Sequence, residues 1–146
     1  MRKETSAGAI VFFQNKKVRE YLLLYYLGGH WDFPKGHIEL GEKPIETVIR
    51  EVKEETNLEI KIIKGFTKSI IYNFRDRGEV VIKEVIFFLA RSKSQKVILS
   101  EEHKGYAWLS YKNALKLITF NKKILIEAEN FLNNYYFRKQ KLTYNI

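Results

Sequence analysis

The sequence predicts an α/β chain of the α+β type, a mixed β-sheet packed between helices. Three observations predict it. Apolar runs come first, a single strongly one-sided helical stretch follows near residue 45, and strand patterns then recur before two further helices close the chain. That order lacks the regular strand–helix alternation of a doubly wound fold. At 146 residues the chain fits one domain spanning 1–146.

The elements follow in order. Residues 5–13, with Ala9-Ile10-Val11-Phe12-Phe13, read as a strand, Gln14-Asn15-Lys16-Lys17 as a turn, and Tyr21 to Tyr26 as a buried partner strand. Leu27-Gly28-Gly29-His30 breaks that strand, and a loop is expected through Pro34 and Gly36 to Gly41. Pro44 suits a first helical turn, where its missing N–H costs nothing, and the helix is expected over about 44–56. Ile45, Val48, Ile49 and Val52 supply its apolar stripe, and Asn57 fits a left-handed C-cap. Strands are expected at 60–64, 66–74 and 80–90, with Arg75 to Gly78 as a turn, and a short strand from Tyr106 to Leu109. Ser110 caps a helix over 111–118, and Asn121 one carrying Ile124, Leu125, Ala128, Phe131 and Leu132. The last ten residues, 137–146, read as a loose tail.

Composition narrows the function. Hydrophobic content of 45% with 29% charged residues describes a globular chain, and no apolar run reaches the roughly 20 residues of a membrane-spanning helix. No membrane partner is expected. The chain has no cysteine, which excludes thiolate chemistry, and its N-terminus lacks the apolar core of a secretory signal, so a cytoplasmic location is expected. A net charge of +9 calls either for a polyanionic partner or for a lysine-rich or thermophilic composition. The basic residues are scattered in sequence, which argues against a dedicated nucleic-acid arm.

The chemistry lies between Gly36 and Leu58. The spacing is Gly36, Glu42, then Arg50-Glu51-Val52-Lys53-Glu54-Glu55 and Leu58. Glu51, Glu54 and Glu55 stand at i, i+3 and i+4, so they share a helix face, expected largely away from the apolar stripe. Like charges so close repel, and a hard divalent cation relieves them. Arg50, four residues from both Glu46 and Glu54, is expected to orient the acids. Taken alone, these acids would describe a solvated helix face. The full pattern should match by accident only on the order of a few times per million such chains.

Gly36 to Leu58 resembles the Nudix box of hydrolases that split nucleoside diphosphates linked to another group, with Asn57 where the box has Gly. His30-Trp31-Asp32-Phe33-Pro34-Lys35-Gly36-His37, Gly65-Phe66, Lys83 to Ala90, Ser100 to His103 and Leu117 to Phe120 extend the likeness to the asymmetric diadenosine tetraphosphate hydrolases. The resemblance implies Glu51 and Glu55 as principal metal ligands, with Glu54, the Gly36 carbonyl and Glu102 as further ligands, and Glu54, Glu55, Glu102 and Arg50 as the catalytic set. Glu102 doubles as general-base candidate, against a reading as a surface loop acid. It also implies phosphate-holding roles for His30, Lys35 and Lys83, and an adenine sandwich by Tyr72 and Phe120, which could equally be ordinary core. The implied cofactor is magnesium, with manganese as the alternative; the implied substrate is a nucleoside polyphosphate, cleaved to ATP and AMP. Two other readings stay open. One keeps the chemistry on an RNA 5′ end, the only nucleic-acid partner expected, or on a diphosphoinositol or oxidised-nucleotide pyrophosphate. The other is a non-catalytic binding module, which would have lost the carboxylates that are present here.

Overall fold

A computed structural model of the protein describes the backbone of residues 1–144 and the side chains of residues 1–141. The chain forms β1 (Arg2–Gln14), β2 (Arg19–Tyr26), β3 (Trp31–Asp32), β4 (Lys35–His37), α1 (Pro44–Thr56), β5 (Ile60–Asp76), β6 (Glu79–Ser92), β7 (His103–Leu109), α2 (Tyr111–Leu117) and α3 (Lys122–Tyr144). The strands join in one mixed sheet in the order β3-β2-β1-β6-β5, with β4 also on β1 and β7 also on β2. The β1–β6 pair is parallel and the other pairs are antiparallel.

Helices cover both faces, which is why the central strands are buried on both sides and show weak alternation. Ala7, Ala9, Val11, Leu22 and Leu24 pack with Val48 and Val52 beneath α1. Ile10, Phe12, Leu23, Phe87 and Leu89 point the other way, into a core closed by Ala114 of α2 and by Leu125, Ala128 and Leu132 of α3. The expected helix-flanked mixed sheet is therefore what forms.

Several elements differ from expectation. The segment read as one loop contains β3 and β4, because Gly36 pairs with Ala7 and Asp32 with Leu24. Such short strands exist only through partners distant in sequence. The strands expected at 60–64 and 66–74 are one strand, β5, whose register slips between Ile62 and Thr67 around Gly65 at φ 99°. The loose tail expected at 137–146 is helical through Tyr144, and residues 145–146 lie outside the described residues. Of the four-residue stripe on α1, only Val48 and Val52 are buried; Ile45 and Ile49 are 42% and 46% exposed. Thr47, Glu55 and Thr56 take the remaining covered positions.

Candidate functional site

Helix α1 starts at Pro44, where the Glu46 carboxylate accepts the Lys43 backbone N–H at 2.8 Å. It ends at Asn57, whose φ of 62° and N–H bond to the Lys53 carbonyl (2.9 Å) make the expected left-handed cap. Between these ends the helix carries its acids. Glu51 rests against the backbone of β4: a Cβ at Gly36 would stand 2.0 Å from the Glu51 carboxyl carbon, so only glycine admits that carboxylate. This links the first residue of the motif to its metal-ligand candidate.

Glu55 does not share an outward face with its neighbours. It is 3% exposed, on the covered side of α1 with Val52 and Thr56. Its Oε2 has no hydrogen-bond partner, and Oε1 lies 3.8 Å from His103 Nε2, itself buried and unpartnered. Burial pushes the Glu55 carboxyl up to about 9, the charges of Glu51 and Glu102 add to that, and a bond from the Lys35 backbone opposes it. Burial also raises Glu51 above its ordinary value, against the pull of Arg50. Burial lowers His103 below the usual imidazole value. Glu102 reaches the cluster because the Ile98 and Ser100 N–H groups donate to the carbonyls of Thr56 and Glu55 (3.0 and 2.9 Å), which docks its loop on the end of α1.

Arg50 does orient the acids, but through a different set from the one expected. Its guanidinium donates to Glu42 from Nε (2.7 Å) and Nη2 (3.0 Å), and to Glu51 (2.8 Å), Glu54 (3.2 Å) and the His37 carbonyl (3.1 Å). Glu46 is used instead at the helix start. Glu51 and Glu54 thus lean towards Arg50, and among the described residues no three acidic or imidazole groups converge closely enough to enclose an ion as they stand. The donor set nonetheless suits a hard divalent cation. An orphaned buried carboxylate oxygen, beside two further acids whose charges oppose its ionisation, is chemistry that such a cation stabilises.

A cavity of about 540 Å³ is lined by His30, Asp32, Lys35, Ile70, Tyr72, Phe120 and Asn121. Tyr72 and Phe120 are 45% and 54% exposed, so neither is core. The His30 ring is stacked on Tyr26 at 4.8 Å, and Phe120 meets it tilted by 56° at 5.3 Å. The Lys35 side chain lines the cavity while its backbone bonds Glu55, so one residue joins the two halves of the site. Lys83 lies apart from the cavity lining. It is 8% exposed and donates to Ser6 Oγ at 2.7 Å, with His37 Nδ1 at 3.5 Å and Glu4 Oε1 at 3.7 Å. Burial lowers its pKa, and Glu4 partly restores it.

Four residues here were given no part in the site from sequence. Asp32 is fully buried and accepts from Phe33 N–H (2.8 Å), Asn121 Nδ2 (2.9 Å) and Lys35 Nζ (3.4 Å). Asn121 was read as a helix cap, yet its side chain reaches across the fold to Asp32 from a backbone at φ 72°. Nothing local announces a contact between positions 89 residues apart. Glu42 and His103 stood inside quoted motifs, and their spacing to Arg50 and Glu55 is set by loops.

Comparison with known proteins agrees with this geometry. Residues 3–128 match the family model described as the NUDIX domain. The mouse asymmetrical bis(5′-nucleosyl)-tetraphosphatase is 40% identical over 122 residues, spanning 77% of this chain and 80% of that protein. An RNA pyrophosphohydrolase of Nitratiruptor sp. is 29% identical over 138 residues, spanning 84% and 87%. The crystal structure of a C. elegans Ap4A hydrolase binary complex superposes with a TM-score of 0.79 at 28% identity, covering 90% of this chain and 98% of that one. With the domain match spanning residues 3–128, most of its length, the chain belongs to the Nudix family.

Proposed function

We propose that this protein hydrolyses diadenosine tetraphosphate and related dinucleoside tetraphosphates to ATP and AMP. One observation carries the reading: Lys35 lines an aromatic, cationic cavity while its backbone hydrogen-bonds Glu55 of the acid cluster. An adenine held between Tyr72 and Phe120 would lay its phosphate chain past His30 and Lys35 towards Glu51 and Glu55. One bound end then sets which phosphorus meets the water, and cleavage falls off-centre. The likeness to the mouse and C. elegans proteins supports the same substrate.

Glu51, Glu54, Glu55 and Glu102, with the Gly36 carbonyl, would hold magnesium, or manganese in its place. When bound, such an ion acidifies water and neutralises phosphate oxygens. The chain's own residues do the rest. Arg50 keeps Glu51 and Glu54 in position, Glu102 accepts the proton of the attacking water, and Lys35 and His30 balance charge on the phosphate chain. Among the described residues no helix is long and apolar enough to cross a membrane.

The test is to incubate the protein and magnesium with diadenosine tetraphosphate and separate the products. Equal amounts of ATP and AMP are expected; two molecules of ADP would reject the assignment. A second reading, removal of pyrophosphate from RNA 5′ ends, is favoured by the Nitratiruptor relative. Faster turnover of triphosphorylated RNA in the same assay would select it.

A further inference from the structure

The charge of +9 is not consumed by this site, whose outstanding feature is acid. The excess lies elsewhere. From residue 60 to 75, β5 carries Lys61, Lys64, Lys68 and Arg75 and no acid; after Glu129, α3 carries Arg138, Lys139 and Lys141 and no acid. Scattered in sequence, Lys61, Lys64, Lys68, Arg138 and Lys139 are gathered by the fold, because hollows follow the seam between β5 and α3. Three hollows of about 350, 320 and 340 Å³ adjoin one another there. The first and second share Tyr135 and Lys139, and the second and third share Phe131 and Asn134. From Glu127 to Lys139 their helical wall runs roughly 18 Å at 1.5 Å per residue.

Rings line this groove and cations stand over them. Phe131 stacks on Tyr135 at 6.1 Å and 20°, and Tyr135 meets Tyr136 edge-on at 5.2 Å. Lys139 Nζ is 4.7 Å from the Tyr135 ring centre, Arg91 is 6.0 Å from that of Tyr136, and Lys68 is 5.9 Å from that of Phe66. Among the lining residues Glu127 is the one acid, and Lys68 takes it at 3.3 Å. The groove shares no lining residue with the catalytic cavity, although β5 runs from one to the other.

We infer that the β5–α3 groove binds single-stranded RNA, its rim cations holding phosphates and its partly buried Phe131, Tyr135 and Tyr136 rings receiving unstacked bases. Duplex RNA hides its base faces, so rings within a hollow favour a single strand. A flat anionic bilayer would meet the exposed lysines but not rings set between them. This inference rests on β5 and α3 and not on the tetraphosphate reading.

The probe is a fluorescent RNA of about 10 nucleotides with a 5′ hydroxyl, which offers the catalytic site no pyrophosphate. Anisotropy should show binding that weakens with salt, with a log–log slope of roughly −2 to −3 for three or four phosphate contacts. Lys64→Glu with Arg138→Glu should weaken binding at least about 10-fold and flatten the slope, and Lys64→Gln with Arg138→Gln should give a smaller loss. Both pairs should retain tetraphosphate hydrolysis. Lys112→Glu with Lys116→Glu on α2 makes the same change in net charge and should weaken binding less than about 3-fold. Absence of binding, or equal losses in the β5–α3 and α2 charge-reversal pairs, would overturn the groove. So would tighter binding to phosphatidylserine vesicles that the same Lys64/Arg138 substitutions abolish.

Discussion

Glu55 combines two properties that rarely meet in a residue kept only for stability. It is buried to 3% exposure, and one of its oxygens has no partner. An apolar residue would fill that position at lower cost, since an unpaired buried carboxylate is expensive. With its pKa pushed up to about 9, Glu55 is neutral at pH 7 in the metal-free protein and resembles a glutamine in shape and charge. Glu55→Gln should therefore leave the metal-free melting temperature within about 3 °C of the parent, equivalent to about 1 kcal/mol. It should still lower kcat at least about 100-fold, because the anionic oxygen needed by a cation is gone. Thermal melts and steady-state kinetics check both halves. Near-parental activity would remove Glu55 from the metal set, and a large fall in melting temperature would mark it as structural.

At the scale of the element, Arg50 makes α1 and the loop before it one electrostatic unit. Arg50, with Thr47, holds the Glu42 carboxyl down at about 2. A carboxylate whose pKa falls on folding stabilises the native state above its unfolded value of 4.5, and that contribution is lost as pH falls towards 2. Glu42→Gln should thus melt a few degrees below the parent at pH 7, and the gap should narrow steadily between pH 5 and pH 3. Melting curves across that range test it; a gap independent of pH would mean the pair contributes shape and not charge. The same helix shows what its sequence could and could not reveal. Its start at Pro44 and its left-handed end at Asn57 are local chemistry, and both were legible. Its buried face was not. Hydropathy places Ile45 and Ile49 inward and Glu55 outward, but the sheet side of α1 is chosen by Val48 and Val52, and Glu55 and Thr56 follow them under cover. Short β3 and β4 were hidden for a related reason, since their pairing partners lie in β1 and β2. Beyond Leu132, α3 loses its regular apolar stripe, and Tyr135 and Tyr136 packing against the core carry it on where periodicity had stopped signalling helix.

Over the whole molecule, the proposed base site joins residues far apart in sequence. Tyr72 comes from β5 and Phe120 from the turn between α2 and α3, and both line the cavity with Lys35. Asp32 secures that turn, because Asn121 next to Phe120 donates to both of its oxygens (2.9 and 3.1 Å). At 45% and 54% exposure, the two rings spend large apolar faces on solvent, which is the expected cost of a site awaiting an aromatic ligand. A base stacked on such rings gains roughly 1–3 kcal/mol per contact, so Tyr72→Ala and Phe120→Ala should each raise KM about 5- to 150-fold at 25 °C. If stacking is equal in the ground and transition states, kcat changes little. Melting temperatures should hold, because neither ring belongs to either core cluster. Phe120→Ala should show the larger effect, since it also removes a ring contact to His30, which stacks on Tyr26. A diphosphoinositol pyrophosphate carries no base, so its turnover should be indifferent to Tyr72→Ala. Steady-state kinetics on diadenosine tetraphosphate and on a diphosphoinositol substrate separate the cases: an unchanged KM for the nucleotide in both variants would show that the rings do not hold the base, whatever the acids of α1 do to its phosphates.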